Sequence, residues 1–167
     1  TAGCDLLFLP AVSEMYPEGI MGKPEYDLGD METLLEGKFR PGHFQGVCQV
    51  VHQLLAQVNP HDLFLGQKDY QQCMVIDRLM QQTGFKETVK LHICPTLRET
   101  DGLAMSSRNR RLNDSDRKKA ASIFRTLSYL KQQLHTGSLD ALLQTASDQL
   151  EQEGFRTDYL VVADAAS

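Results

Sequence analysis

No apolar run in this chain reaches the roughly 18 residues needed to cross a bilayer, which excludes a membrane-spanning helix. Nor is there an excess of positive charge: 17 Lys plus Arg stand against 22 Asp plus Glu, a formal net charge of −5 with histidine neutral. A broad face for nucleic-acid phosphates wants the opposite balance, so no nucleic acid is expected as partner, while a small anion pocket stays open. C-x-x-C pairs are missing, and Cys4, Cys48, Cys73 and Cys94 lie far apart with no histidine at metal-ligand spacing. The expectation is no protein-built metal site, and reduced, mostly buried thiols in a cytoplasmic protein. Internal repeats, low-complexity tracts and the basic-then-apolar layout of a secretory signal are also lacking. The chain starts without methionine and reaches the apolar run 6–9 at once, so its first residue is expected to lie inside a longer protein.

What is present reads as an ordinary globular protein, 41% apolar and 23% charged over 167 residues. That length suits one medium domain or two small, closely packed ones, able to bury roughly 70% of the surface exposed when unfolded.

The order of patterns sets the expected fold. "DLLFLP" (5–10) is a continuous apolar run ended by proline, the pattern of a strand covered on both faces. The Pro- and Gly-rich stretch after it is expected to be loop with a short edge strand. A short helical turn and a break at Pro41 and Gly42 lead into an amphipathic helix whose stripe is Val47, Val50, Val51, Leu54, Leu55 and Val58, ending before Pro60. A second strand over 62–68, a helix over 70–83 closed by Gly84, and a third strand over 88–95 follow. Strands alternating with helices of this length predict an α/β fold with a parallel sheet joined by right-handed crossovers, one half of a doubly wound nucleotide-binding domain. A boundary is placed near Pro95, giving domains 1–94 and 95–167. The second is expected to be a small helix-rich α+β domain: a helix over about 114–135 with stripe Ala120, Ile123, Phe124, Leu127, Leu130 and Leu134, then one capped by Ser138 with inner face Leu139, Leu142, Leu143, Ala146 and Leu150, then a strand in "DYLVVADA".

Three clusters carry chemistry-bearing residues. "LGQKDYQQ" stands where the second strand hands over to its helix. In parallel α/β sheets ligands sit beyond the carboxyl ends of strands, and a helix start there offers N–H groups to phosphate. Gly66 permits close approach and Lys68 adds a mobile positive charge. Asp69 and Gln72 are equally the two ends of a capping box, the more ordinary reading of Gln72 taken by itself. "GLAMSSRNRRL" offers Ser106, Ser107 and the Arg108 fork to an anion, or else a solvated turn with Arg110 and Arg111 as surface charge. "LLEGKFRPGHFQGV" gathers Glu36, Arg40 and His43 among glycines and a proline. Arg40 could meet a carboxylate and Glu36 an amine, or the two could form a surface ion pair of little worth.

In this order, "LLEGKFRPGHFQGVCQVV", "FLGQKDYQQ" and "RETDGLAMSSRN" resemble the middle and later parts of the pantothenate synthetases (pantoate–β-alanine ligases), and "GFRTDYLVVADA" also fits. The resemblance implies a partial Rossmann-like nucleotidyltransferase sheet followed by a lid-like domain. It implies ATP-dependent ligation of pantoate and β-alanine through a pantoyl adenylate, assisted by Mg²⁺, in a cytoplasmic homodimer. Carried over residue by residue, it implies ATP binding by Gly66, Gln67, Lys68 and Asp69, with Lys68 on the phosphates and Asp69 near the ribose. Leu97 would lie by the adenine, and Met105, Ser106, Ser107 and Arg108 would form a loop closing on the phosphates, with Lys68 and Arg108 as the catalytic pair. Gln72 would hold pantoate, reversing the reading of it as a cap, and Arg40 and Glu36 would line the acceptor side. The H-x-G-H-type sequence of such enzymes and a pantoate-binding glutamine are not found here. The resemblance places both upstream of residue 1 and implies that this stretch alone ligates little or nothing. The remaining alternatives are another adenylyl- or cytidylyl-transferring enzyme of the same superfamily, or an interaction module that keeps the fold without the pocket.

Overall fold

The structure, a computed structural model, describes residues 3–17, 19 and 24–164. It divides into two units, Thr1–Leu65 with Asp69–Ile93, and Gly66–Lys68 with Cys94–Ser167.

In the first unit, the α/β pattern forms where periodicity is strongest. Strand β1 (Asp62–Gly66), helix α4 (Tyr70–Thr83) and strand β2 (Lys90–Cys94) make a two-stranded parallel sheet with its crossover helix. Leu63, Leu65 and Leu91 turn one face of that sheet onto a core in which Val75, Ile76, Leu79 and Met80 are fully buried. Burying side chains of this size stabilises by roughly 1.5–3 kcal/mol each, so this face fixes the register of α4 against the sheet. Gly84, at φ 78, ends α4 in the left-handed conformation that glycine adopts without penalty.

Helix α3 (His43–Val58) packs on the same core, with Phe44, Cys48 and Leu55 buried and Val47 and Val51 partly so. Its stripe is rotated from the expected one, because Val50 and Val58 are 45% and 51% exposed while Phe44 and Cys48 take the inner positions. The helix stops at Asn59, φ 46, whose N–H donates to the Leu55 carbonyl just before Pro60.

Three expected features are corrected. The apolar run 6–9 forms no strand: Leu6, Leu7 and Leu9 are 80%, 78% and 82% exposed, and no other strand pairs with them among the described residues. A strand needs a ladder partner as well as an apolar sequence. Where a loop with an edge strand was expected, Val12–Met15 forms a short helix, α1, with the Glu14 carboxylate accepting from the Ala11 N–H; residues 18 and 20–23 of that stretch lie outside the described residues. The closing stretch 158–164 is likewise not a strand; its Leu160 packs on the helical core of the second unit instead, and residue 165 lies outside the described residues.

The second unit is built on two helices, α5 (Asp114–Gln133) and α6 (Leu139–Gln152), whose shared core holds Leu130, Leu142 and Ala146. The Asn113 side chain caps α5 by accepting from the Asp116 N–H at 2.8 Å, and Asp114 and Asp116 suit the positive end of the helix. Ser138 stands at the start of α6 without a side-chain cap bond. On α5 the inner face differs from the expected stripe: Ser122 and Thr126 are buried, while Ile123 and Leu127 are 41% and 44% exposed. Ser122 is buried without penalty because its hydroxyl bonds the Glu153 carboxylate and accepts from Arg125 at 2.6 Å.

Candidate functional site

The turn Gln67–Asp69 joins β1 to α4 as a single 3-10 turn. Gly66, the last residue of β1, has nothing within 4 Å of where a Cβ would stand, so the strand's carboxyl end meets open space. Lys68 is exposed, and among the described residues its ammonium makes no ion pair or hydrogen bond. Asp69 occupies the N-cap position of α4 but makes no side-chain cap bond. The capping-box reading of Asp69 and Gln72 is therefore corrected: at φ −102 and ψ 59, Asp69 does not hold the geometry from which its carboxylate meets the first-turn N–H groups. Both side chains are left for another task.

Gly66–Lys68 belongs to the same unit as the later cluster. There, residues 97–105 form a tight hairpin: Arg98 bridges Ala104, the Glu99 N–H donates to the Leu103 carbonyl at 2.8 Å, and the Met105 N–H to the Leu97 carbonyl at 2.9 Å. Leu97 and Met105 are thus cross-strand neighbours sharing one face of the hairpin, and they are 74% and 50% exposed. Arg98 projects from the other face over the Phe124 ring, 4.4 Å from its centroid, and donates to the Gly102 carbonyl at 3.0 Å. Asp101 pairs with Arg117 at 2.5 Å, and that contact holds its carboxyl below the ordinary carboxylate range. Turn and helix α5 are pinned together.

The chain leaves the hairpin into a 3-10 helix, Ser107–Arg111. The Ser106 hydroxyl caps it by accepting from the Arg108 N–H at 3.2 Å, and the Asn109 amide donates back to the Ala104 carbonyl at 3.0 Å. Arg108, Arg110 and Arg111 are exposed, and among the described residues none of the three forms an ion pair. Two hydroxyls and a guanidinium mounted on a braced turn are donors of the kind that meets phosphate.

In the first unit, Glu36 opens the short helix α2 (Glu36–Phe39) and pairs with Arg40 at 3.5 Å. His43 follows directly; burial and then the Arg40 guanidinium push its imidazole below the ordinary value, while Glu36 pulls it the other way. Glu36, Arg40 and His43 are therefore brought together. As a mutual pair with side chains 51% and 43% exposed, Arg40 and Glu36 contribute little to stability.

Glutamines carry what the sequence did not reveal. Leu35, just before Glu36, has φ 49 and ψ −125, a conformation that costs a residue other than glycine about 1–3 kcal/mol. Gln71 on α4 brackets it: its Oε1 accepts from the Glu36 N–H at 3.1 Å, and its Nε2 donates to the Leu34 and Met31 carbonyls, both at 3.0 Å. Three such bonds at about 0.5–1.5 kcal/mol each are of the size needed to hold the strain. Gln45 and Gln82 fasten the same segment further back, each exchanging two bonds with the backbone of Tyr26 and Asp27 respectively. Gln72, next to Gln71, makes no hydrogen bond among the described residues. Tyr26 in turn shares a 2.5 Å bond with the His52 Nδ1, so that histidine is a satisfied structural residue.

A sequence profile of the family described as Pantoate-beta-alanine ligase matches residues 1–167. A pantothenate synthetase of Pseudomonas paraeruginosa is 43% identical over 99% of this chain, and one of Thermus thermophilus is 43% identical over 96% of it. The chain spans 59% and 58% of those two proteins. A crystal structure of the pantothenate synthetase from Thermus thermophilus superposes with a TM-score of 0.88 at 42% identity, covering 98% of this chain and 59% of that one. The pantoate-beta-alanine ligase of Francisella tularensis, solved in complex with beta-gamma ATP and beta-alanine, superposes with a TM-score of 0.73 at 31% identity, over 91% of this chain and 54% of that one.

Proposed function

This chain belongs to the pantoate-beta-alanine ligase family, and from that premise we propose that the protein joins pantoate to β-alanine at the expense of ATP. The pantoate carboxylate attacks the α-phosphorus of ATP and pyrophosphate leaves. The β-alanine amine then attacks the pantoyl carbonyl, AMP leaves, and the amide of pantothenate forms. Both steps build negative charge on a departing phosphate, so fixed positive donors and correct alignment are what the protein must supply.

The observation that carries this reading is the grouping of Gly66–Lys68 in one unit with the hairpin and the capped turn at Ser107–Arg111. Leu97 and Met105, exposed side by side, offer an apolar face to adenine. Lys68 and Arg108 take the phosphates, joined by the Ser106 and Ser107 hydroxyls, while Gly66 and Gln67 let the backbone approach. Asp69 takes the ribose, Gln72 the pantoate, and Arg40 with Glu36 the acceptor side. Mg²⁺ suits this set as an ion carried by the triphosphate: among the described residues no three His, Cys, Asp or Glu side chains gather to hold one, and Mg²⁺ commonly binds through substrate phosphates. The relative from Francisella tularensis, captured with beta-gamma ATP and beta-alanine, supports the choice of substrates. Cys4, Cys48 and Cys94, which form no disulfide among the described residues, suit the reducing cytoplasm, and the family resemblance favours a homodimer with a nucleotide-binding domain through residue 94 and a lid from 95.

Pantoate-dependent exchange of pyrophosphate into ATP, followed by β-alanine-dependent release of AMP, tests the proposal in the complete protein. Exchange that proceeds without pantoate, or with CTP in place of ATP, would assign the site to a different nucleotidyl transfer.

A further inference from the structure

Two adjacent glutamines at the start of α4 differ in how their amides are employed. The Gln71 Nε2 carries two hydrogens, and both are committed, one to the Met31 carbonyl and one to the Leu34 carbonyl. Its Oε1 is committed to the Glu36 N–H. It therefore has no N–H left to offer a ligand, whereas Gln72 beside it makes no hydrogen bond among the described residues.

The Gln71 bonds fall on both sides of Leu35, a half-buried leucine at φ 49 and ψ −125. Residues in such conformations persist only where the surroundings over-determine them. A second constraint sits two residues on: a Cβ at Gly37 would stand 2.3 Å from the Met31 carbonyl oxygen, one of the oxygens Gln71 holds. The turn thus leaves no room for a β-carbon at residue 37 and is tied at three backbone groups by Gln71. What leaves it is Glu36, the first residue of α2, with Arg40 one helical turn later. The strained peptide decides the direction in which that short helix sets out, and a helix of four residues has no packing stripe of its own to correct an error.

We infer that Gln71 is a positioning residue: by clasping the strained Leu35 peptide it sets the aim of the Glu36 and Arg40 side chains at the carboxylate and amine groups of the substrates. This rests on the ligase reading above. Gln71 itself touches no reacting atom. Its removal lets Leu35 relax toward an ordinary conformation and turns α2 away, which affects the acid and amine substrates and leaves nucleotide binding alone.

The test uses Gln71→Ala, Leu35→Gly and the double variant in the complete protein. For Gln71→Ala, KM for pantoate or β-alanine rises about tenfold or more while KM for ATP stays put, since misplacement by about an ångström is costly to a positioned reaction. Glycine adopts a positive φ freely, so Leu35→Gly in the Gln71→Ala background restores those KM values although it adds no hydrogen bond. A merely stabilising Gln71 would not produce that rescue. The proposal is overturned if Gln71→Ala lowers Tm while every KM is unchanged, or if glycine at 35 fails to recover the lost affinity. Amide exchange separates the two readings. Slow exchange of the Glu36 N–H, lost in Gln71→Ala, supports the clasp whatever the substrates are, and equal exchange in both proteins overturns it. Failure of the unaltered protein to catalyse any pantoate-dependent exchange overturns the ligase reading and, with it, the substrate half of this one.

Discussion

Gly102 and Phe124 fit so closely that a methyl group on the glycine would stand 1.9 Å from the phenylalanine Cδ1. The glycine is also at φ 88, where a β-carbon is strained whatever the space. This contact adds to the Asp101–Arg117 pair and to Arg98 over the Phe124 ring in fastening the hairpin to helix α5.

Gly102→Ala is expected to destabilise the protein by about 2–5 kcal/mol, combining a left-handed backbone penalty with overpacking. Denaturant unfolding measures it. Phe124→Leu in the same chain recovers part of the loss by opening space; wild-type stability for Gly102→Ala would show that the contact is not tight.

Lys68→Ala and Arg108→Ala remove exposed charges that form no ion pair among the described residues, so each leaves stability within about 0.5 kcal/mol. Under the proposed function, pantoate-dependent pyrophosphate exchange by the complete protein is expected to fall by about 10²–10³ in each, the scale for losing one donor to a developing charge. A rate within a factor of about two of wild type, against that scale, would remove the residue from the phosphate site.

Leu97 and Met105 stand side by side on one hairpin face, and their exposure makes them inexpensive to change. Under the proposed function, Leu97→Asp in the complete protein is expected to raise KM for ATP about tenfold by placing a charge against the proposed adenine position, with Tm unchanged. A drop in Tm with KM intact would instead make Leu97 a folding residue.

Burial and, second, Glu32 push the Cys48 thiol up to about 11 from an ordinary value of 9.0. Folding thus favours the protonated thiol. The associated stability is fully present below pH 9.0 and is lost as pH rises through about 11. Cys48→Ala flattens that alkaline limb of the unfolding curve. In the native protein at neutral pH the exposed Cys4 reacts with a thiol reagent while Cys48 does not. An alkaline limb of equal slope in both proteins would refute the assignment.

The sequence made β1, α4, β2, α5 and α6 legible because each has apolar spacing, a stop signal, or both, and these act locally. The grouping of Glu36, Arg40 and His43 was legible for a related reason, being set by one short stretch of chain. By contrast, the apolar run 6–9 carries a strand's composition, yet pairing belongs to two segments at once and composition cannot supply the second. The inward turn of Ser122 was hidden because its partner, Glu153, lies a helix away. The three glutamine clasps were hidden for the same reason: an amide side chain reads as polar surface until a distant backbone group is brought to it. Leu35 gave a weak signal at most, since nothing local asks a leucine to take a positive φ.

The bracing of the hairpin has a thermodynamic consequence. With Gly102 against Phe124, Arg98 over the same ring and Asn109 tied to Ala104, the backbone on both sides of Ser106 is held by contacts within the chain itself, so under the proposed function a nucleotide would meet it already settled. Ordering on binding is then confined to a few long side chains, Arg108 foremost, at about 0.5–1.5 kcal/mol of rotamer entropy apiece. Most of the conformational freedom that a closing loop would surrender to its ligand has already been surrendered to folding.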